Sequence, residues 1–94
     1  MIKVVAKNKV REQEMNTYNE LVKNLIHETR KEEGCIKYEL FQDVHNFNIL
    51  TFVEEWEDLE ALEKHKKSSH FTKYVPMLDE LCEESGVNVY SKII

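Results

Sequence analysis

Apolar side chains alternate with lysines at the start of the chain. Ile2, Val4, Ala6, Asn8 and Val10 fall on one side and Lys3, Val5, Lys7 and Lys9 on the other. That two-residue period predicts a strand with one mainly apolar face, on which Asn8 is the odd member. From Met15 the period lengthens: Met15, Tyr18, Val22, Leu25, Ile26 and Thr29 recur at three and four residues. This is the stripe of an amphipathic helix of about five turns, expected to end with Gly34 in the C′ position. Its other face, Glu20, Lys23, Asn24, Glu28 and Lys31, is charged or polar and reads as solvated. Alternation returns over Cys35 to Gln42 and again over Ile49 to Trp56. The turn-rich Asp43 to Asn48 between them predicts an antiparallel hairpin.

After Trp56 the period changes once more. Asp58 is a good N-cap, and Leu59, Leu62 and Lys66, with Ala61 and His65 beside them, predict a helix to about Lys67. Ser68-Ser69 offers a second cap, so His70, Phe71, Tyr74 and Val75 begin a new helical segment. It is punctuated by Pro76 and expected to run through Met77, Leu78, Leu81 and Cys82 to Gly86. Val87 to Ile94 then forms the last strand. The order strand, helix, strand, strand, helix, strand is the ferredoxin-like split βαβ arrangement, an α+β fold with a four-stranded antiparallel sheet and helices on one side. No repeat or low-complexity stretch interrupts it, and one Pro and two Gly leave no joint that divides residues 1–94 into two domains. In the second and third strands both alternating sets are apolar: Ile36, Tyr38 and Leu40 against Cys35 and Phe41, then Leu50, Phe52 and Trp56 against Ile49 and Val53. Helices cover only one face, so the other is expected to meet a protein partner.

Size points the same way, because a chain of 94 residues buries only about two thirds of its unfolded surface. The net charge of −5 is spread as mixed Lys and Glu, which argues against nucleic-acid binding. Cys35 and Cys82 have no metal-type or CxxC spacing and read as reduced thiols of a cytoplasmic protein. The chain opens directly in a strand pattern, without a leader or an apolar run of membrane-spanning length, so a soluble, unexported protein is expected.

Candidate chemistry gathers around the helix after Trp56. His65 lies on its Ala61-Leu62 face, toward the sheet, where an imidazole serves either as a proton acceptor or as a satisfied core residue. His70 is five positions on, which is not a same-face spacing, and no His-Glu-x-x-His motif is present, so no metal site is expected. His70 reads as a capping or surface residue, His27 as helix surface and His45 as turn. Asn8 must hydrogen-bond to a neighbour or face a cavity that a ligand fills, since an unpartnered buried amide costs about 1–3 kcal/mol. Glu54, if buried, needs a partner or a proton. Trp56 and Phe71 flank the histidine helix as core or as pocket wall, and Tyr38 either rims the pocket or, the reading favoured here, packs in a dimer interface.

Gly34-Cys35-x-x-Tyr38 at a strand start, Glu54-x-Trp56, and Ala61-Leu62-x-x-His65-x-x-Ser68-x-His70-Phe71 together resemble the antibiotic biosynthesis monooxygenase (ABM) superfamily, particularly its small quinol monooxygenase-like members. The resemblance implies a homodimer pairing sheet against sheet as a dimeric α+β barrel. It also implies a monooxygenase that needs neither flavin nor metal and acts on a small phenolic or quinol-type aromatic substrate. His65 then acts as base and Asn8 as orienting amide, with Trp56, Phe71, Glu54 and Tyr38 about the substrate. In the related haem-degrading branch the axial histidine falls at Val75 here, so haem is not an expected cofactor. A similar isomerase in the same superfamily shares His65-Lys66-Lys67-Ser68-Ser69-His70, which implies as alternative a phosphorylated or polyhydroxy ketone held by Lys66, Lys67 and Lys37. A non-catalytic small-molecule-binding dimer is the third reading.

Overall fold

The computed structural model describes residues 1–94. Strand β1 (Ile2–Val10) passes through a short 3-10 turn (Glu12–Glu14) into helix α1 (Met15–Thr29). Strands β2 (Cys35–Gln42) and β3 (Ile49–Trp56), helices α2 (Leu59–Lys66) and α3 (Ser69–Glu80), and strand β4 (Cys82–Ser91) follow. The strands pair antiparallel in the order β2-β3-β1-β4. This is the ferredoxin-like arrangement expected from the hydrophobic pattern, with its two central strands joined to the edges by helical connections. At its thinnest the molecule measures 17 Å, which is one sheet and one layer of helices.

Register decides which side chains meet. Val4 lies opposite Glu54, Ala6 opposite Phe52 and Asn8 opposite Leu50, and across the next pair Tyr38 lies opposite Glu54. Alternate residues therefore point to the helices: Ile2, Val4, Asn8, Val10, Tyr38, Leu50, Phe52, Glu54 and Trp56 are all buried. Tyr18, Val22, Leu25 and Thr29 of α1 and Ala61, Leu62 and His65 of α2 close over them. The opposite face carries Lys3, Val5 and Lys7 with the half-buried Ile49, Thr51 and Val53 and the exposed Phe41. Tyr38 is thus a core residue of the helix-facing side. Its placement in a sheet-face interface is corrected by the pleat, which sends residue 38 inward with its neighbour Glu54.

Four boundaries differ from the sequence pattern, the ends of α1 and α3 and both ends of β4, which stops at Ser91 rather than Ile94. The last helix ends at Glu80 rather than Gly86, and β4 starts at Cys82 rather than Val87. Pairing explains it: Cys82 to Ser91 lie along the length of β1, with a bulge at Lys9 and Val10, and these ladder bonds override the weak local preference of Glu83 to Gly86. Gly34 is not the C′ residue of α1, which ends five residues earlier. It sits in the turn before β2 with φ 88°, a backbone state open to glycine, and a Cβ there would stand 2.6 Å from that of Ala61. The turn needs glycine so that α2 can lie against it.

Candidate functional site

Between the helices and the sheet lies a cavity of ≈ 410 Å³, a size suited to a small organic ligand. β1 contributes Val4, Ala6 and Asn8, β3 contributes Phe52 and Glu54, and β4 forms an open side through Val87 and Val89. Tyr38, His65 and Phe71 complete its aromatic end. Five of the six expected site residues therefore share one cavity. Trp56 is not among the lining residues; it stands behind them, fully buried.

Two helix caps place the histidines. The Asp58 side chain accepts from the Ala61 N–H at 2.8 Å and starts α2, while Ser68 Oγ accepts from the Phe71 N–H at 3.2 Å and starts α3. His65 is 1% exposed. Its ring packs on Trp56 with centroids 4.6 Å apart and meets the edges of Phe71 and Tyr38 at 5.0 and 5.5 Å. Nδ1 lies 2.6 Å from Glu32 Oε2, and Nε2 has no hydrogen-bond partner. A carboxylate only accepts, so Nδ1 carries the hydrogen and Nε2 presents a lone pair. Burial holds the imidazole below its ordinary 6.5 and outweighs the opposing pull of Glu32, which leaves the ring neutral at pH 7.

His70 is not a surface or capping residue, in contrast to the expectation from its spacing. Its Nε2 lies 2.8 Å from the same Glu32 oxygen. The break at Ser68 reorients the chain, so the interval of five is measured across a joint between two helices. Glu32 leaves no mark in the sequence, where Lys31-Glu32-Glu33 has the composition of an ordinary solvated charge run. Its turn is held in place by Arg30 Nε donating to the Tyr38 carbonyl at 3.0 Å and by the Glu57 N–H donating to the Gly34 carbonyl at 2.9 Å. The donor atoms of Glu32, His65 and His70 lie within 4.8 Å of one another, yet one oxygen at 2.6 and 2.8 Å from two ring nitrogens is hydrogen-bond geometry.

Glu54 is 5% exposed and accepts the indole N–H of Trp56 at 2.9 Å. Burial pushes its carboxyl up to about 7 against the smaller lowering effect of that bond, and no cation contributes. Asn8 donates through Nδ2 to the Tyr18 hydroxyl at 2.9 Å, so this buried amide has both a partner and a cavity. Its second N–H and its carbonyl remain for a ligand. Of the three lysines weighed for a phosphate, only Lys66 reaches the cavity; Lys37 pairs with Glu55 at 3.7 Å on the other sheet face.

Comparison with known proteins matches residues 1–77 to the family model described as antibiotic biosynthesis monooxygenase. The Bacillus subtilis (strain 168) protein YcnE, whose name assigns it provisionally to the monooxygenases, is 31% identical over 81 residues, covering 86% of this chain and 85% of its own. A conserved protein from Methanosarcina mazei Go1 superposes with TM-score 0.96 at 44% identity, over 98% of this chain and 92% of its own. The crystal structure of an antibiotic biosynthesis monooxygenase superposes with TM-score 0.95 at 29% identity over the full length of both chains.

Proposed function

For a chain that belongs to the antibiotic biosynthesis monooxygenase family, we propose a monooxygenase that oxidises a small phenolic or quinol-type substrate with dioxygen, using neither flavin nor metal. The observation that carries this reading is His65, a lining residue of a largely apolar cavity whose buried Nε2 has no hydrogen-bond partner. The substrate hydroxyl gives its proton to Nε2, and the resulting imidazolium is stabilised by Glu32 through Nδ1. Asn8 orients the anion. The phenolate is then the electron donor to dioxygen. One oxygen atom enters the ring carbon, the hydrogen of that carbon is lost, and the second oxygen atom leaves as water, so the substrate supplies all the electrons. The apolar walls favour these steps, since a substrate that fills the cavity displaces water from around the reacting groups and strengthens each polar contact inside.

Oxygen uptake with a panel of quinols and hydroxyarenes tests the reading. His65→Ala is expected to lower turnover by about 10²–10⁴-fold, the usual contribution of a positioned general base. A more acidic phenol, already ionised at the assay pH, is expected to recover much of that loss. An equally active but less heat-resistant variant removes His65 from the reaction. We further propose a homodimer through the open sheet face, where Val5, Thr51 and Val53 lie between lysines and glutamates of both signs.

A further inference from the structure

Glu54 has no role in the oxygenation steps above, although the fold holds it in the same cavity as His65. A carboxylate buried in the middle of a sheet, without a cation to compensate it, is a poor anion and a good acid. Glu54 fits that description. It is cut off from solvent, its one hydrogen bond comes from the Trp56 indole, and no lysine or arginine pairs with it. Trp56 also stacks on His65, so a single side chain fixes the relation of the acid to the base. The lone pair of His65 Nε2 has no partner of its own.

We propose that the cavity also catalyses keto–enol exchange of apolar cyclic ketones, without dioxygen, with His65 as base and Glu54 as proton donor. The proposal rests on His65 acting as a base, as above. His65 Nε2 takes a proton from the carbon next to the carbonyl, and the C–H electron pair forms the carbon–carbon double bond. The carbonyl π pair moves to oxygen, which takes the Glu54 proton and gives the neutral enol. The imidazolium exchanges its proton with solvent. Return of a solvent-derived proton from it to carbon, and of a proton from the enol hydroxyl to Glu54, restores the ketone, and nothing is oxidised or reduced. Apolar ketones are chosen because the walls are Val4, Phe52, Phe71 and Val87. A phenol needs only the base, whereas a ketone is a much weaker carbon acid, and an acid on its carbonyl oxygen spares it the free enolate and so speeds enolisation.

The test is deuterium incorporation into 2-tetralone at the carbon between ring and carbonyl, followed by proton NMR in deuterium oxide under argon. The wild-type protein is expected to exchange this position faster than buffer. Glu54→Gln, which keeps the shape and loses the transferable proton, is expected to be slowed by about 10²-fold or more. Glu54→Leu should match it, with melting temperatures showing that both variants are folded. Exchange no faster than buffer in wild type, or Glu54→Gln within a few-fold of wild type, overturns the proposal. Quinol-dependent oxygen uptake that survives in wild type when exchange is absent leaves the oxygenase reading standing. Exchange at the wild-type rate in His65→Ala also overturns the proposal, and oxygen uptake by the same variant decides separately whether His65 serves oxygenation.

Discussion

Glu32 holds two imidazoles on one oxygen, and its removal separates positioning from packing. Glu32→Ala leaves the Nδ1 hydrogen of His65 buried without an acceptor, at a cost of about 1–3 kcal/mol that urea unfolding will measure. Turnover of a quinol is expected to fall with it, because the ring loses the bond that fixes its tautomer. Glu32→Gln keeps an oxygen for one ring and should lie between the two. Glu54 gives a prediction of opposite sign. Its carboxyl is raised from 4.5 to about 7, so the folded protein binds a proton that the unfolded chain has released across that interval. Stability is then fully present below pH 4.5 and declines as pH rises to about 7, by roughly 3 kcal/mol at most. Glu54→Gln, which cannot ionise, should flatten this slope and be the more stable protein at pH 8. Urea unfolding at pH 4.5 and pH 8 on both proteins checks it. The residues of this site differed in how readable they were. His65 and Asn8 stood out because each breaks an apolar stripe, and a stripe is a local pattern. Glu32 and His70 did not, since what joins them is the meeting of a turn, two helix ends and a cap, none of which leaves a periodic trace.

The placement of α2 depends on a turn that is not part of it. A side chain at residue 34 meets the Ala61 Cβ, so Gly34→Ala should push α2 away from β3 while also straining a backbone at φ 88°. A loss of about 1–3 kcal/mol is expected, with lower turnover because His65 moves with its helix. The double variant Gly34→Ala with Ala61→Gly relieves the contact and retains the strain, so thermal unfolding of the set divides the two effects. Elements with strong local signals were legible to within a residue: β1, β2, β3, and α2 with its Asp58 cap. The end of α3 was not. Leu81 and Cys82 continue a helical spacing from Leu78, and only the presence of β1 alongside, waiting for hydrogen bonds, turns the chain into a strand at Cys82.

The whole molecule is one sheet with one coated side, and the bare side should be met by a second copy. Sedimentation equilibrium at micromolar concentration is expected to give a dimer, and Val53→Arg, a charge at the middle of that face, to give a monomer. A wild-type monomer under those conditions would remove the barrel from the account. The α+β class and the two-faced strands were visible as periodicity; the coating itself is a property of assembly. The arrangement around Trp56 has a practical consequence as well. It is the only tryptophan of the chain, and it touches both the imidazole of His65 and the carboxyl of Glu54. Protonated imidazole quenches indole emission, so the native fluorescence of the protein is a built-in optical gauge of the site. It should brighten as His65 loses its proton on raising pH, and that step should vanish in His65→Ala. A colourless ligand entering the cavity can then be followed by light alone, before any product is known.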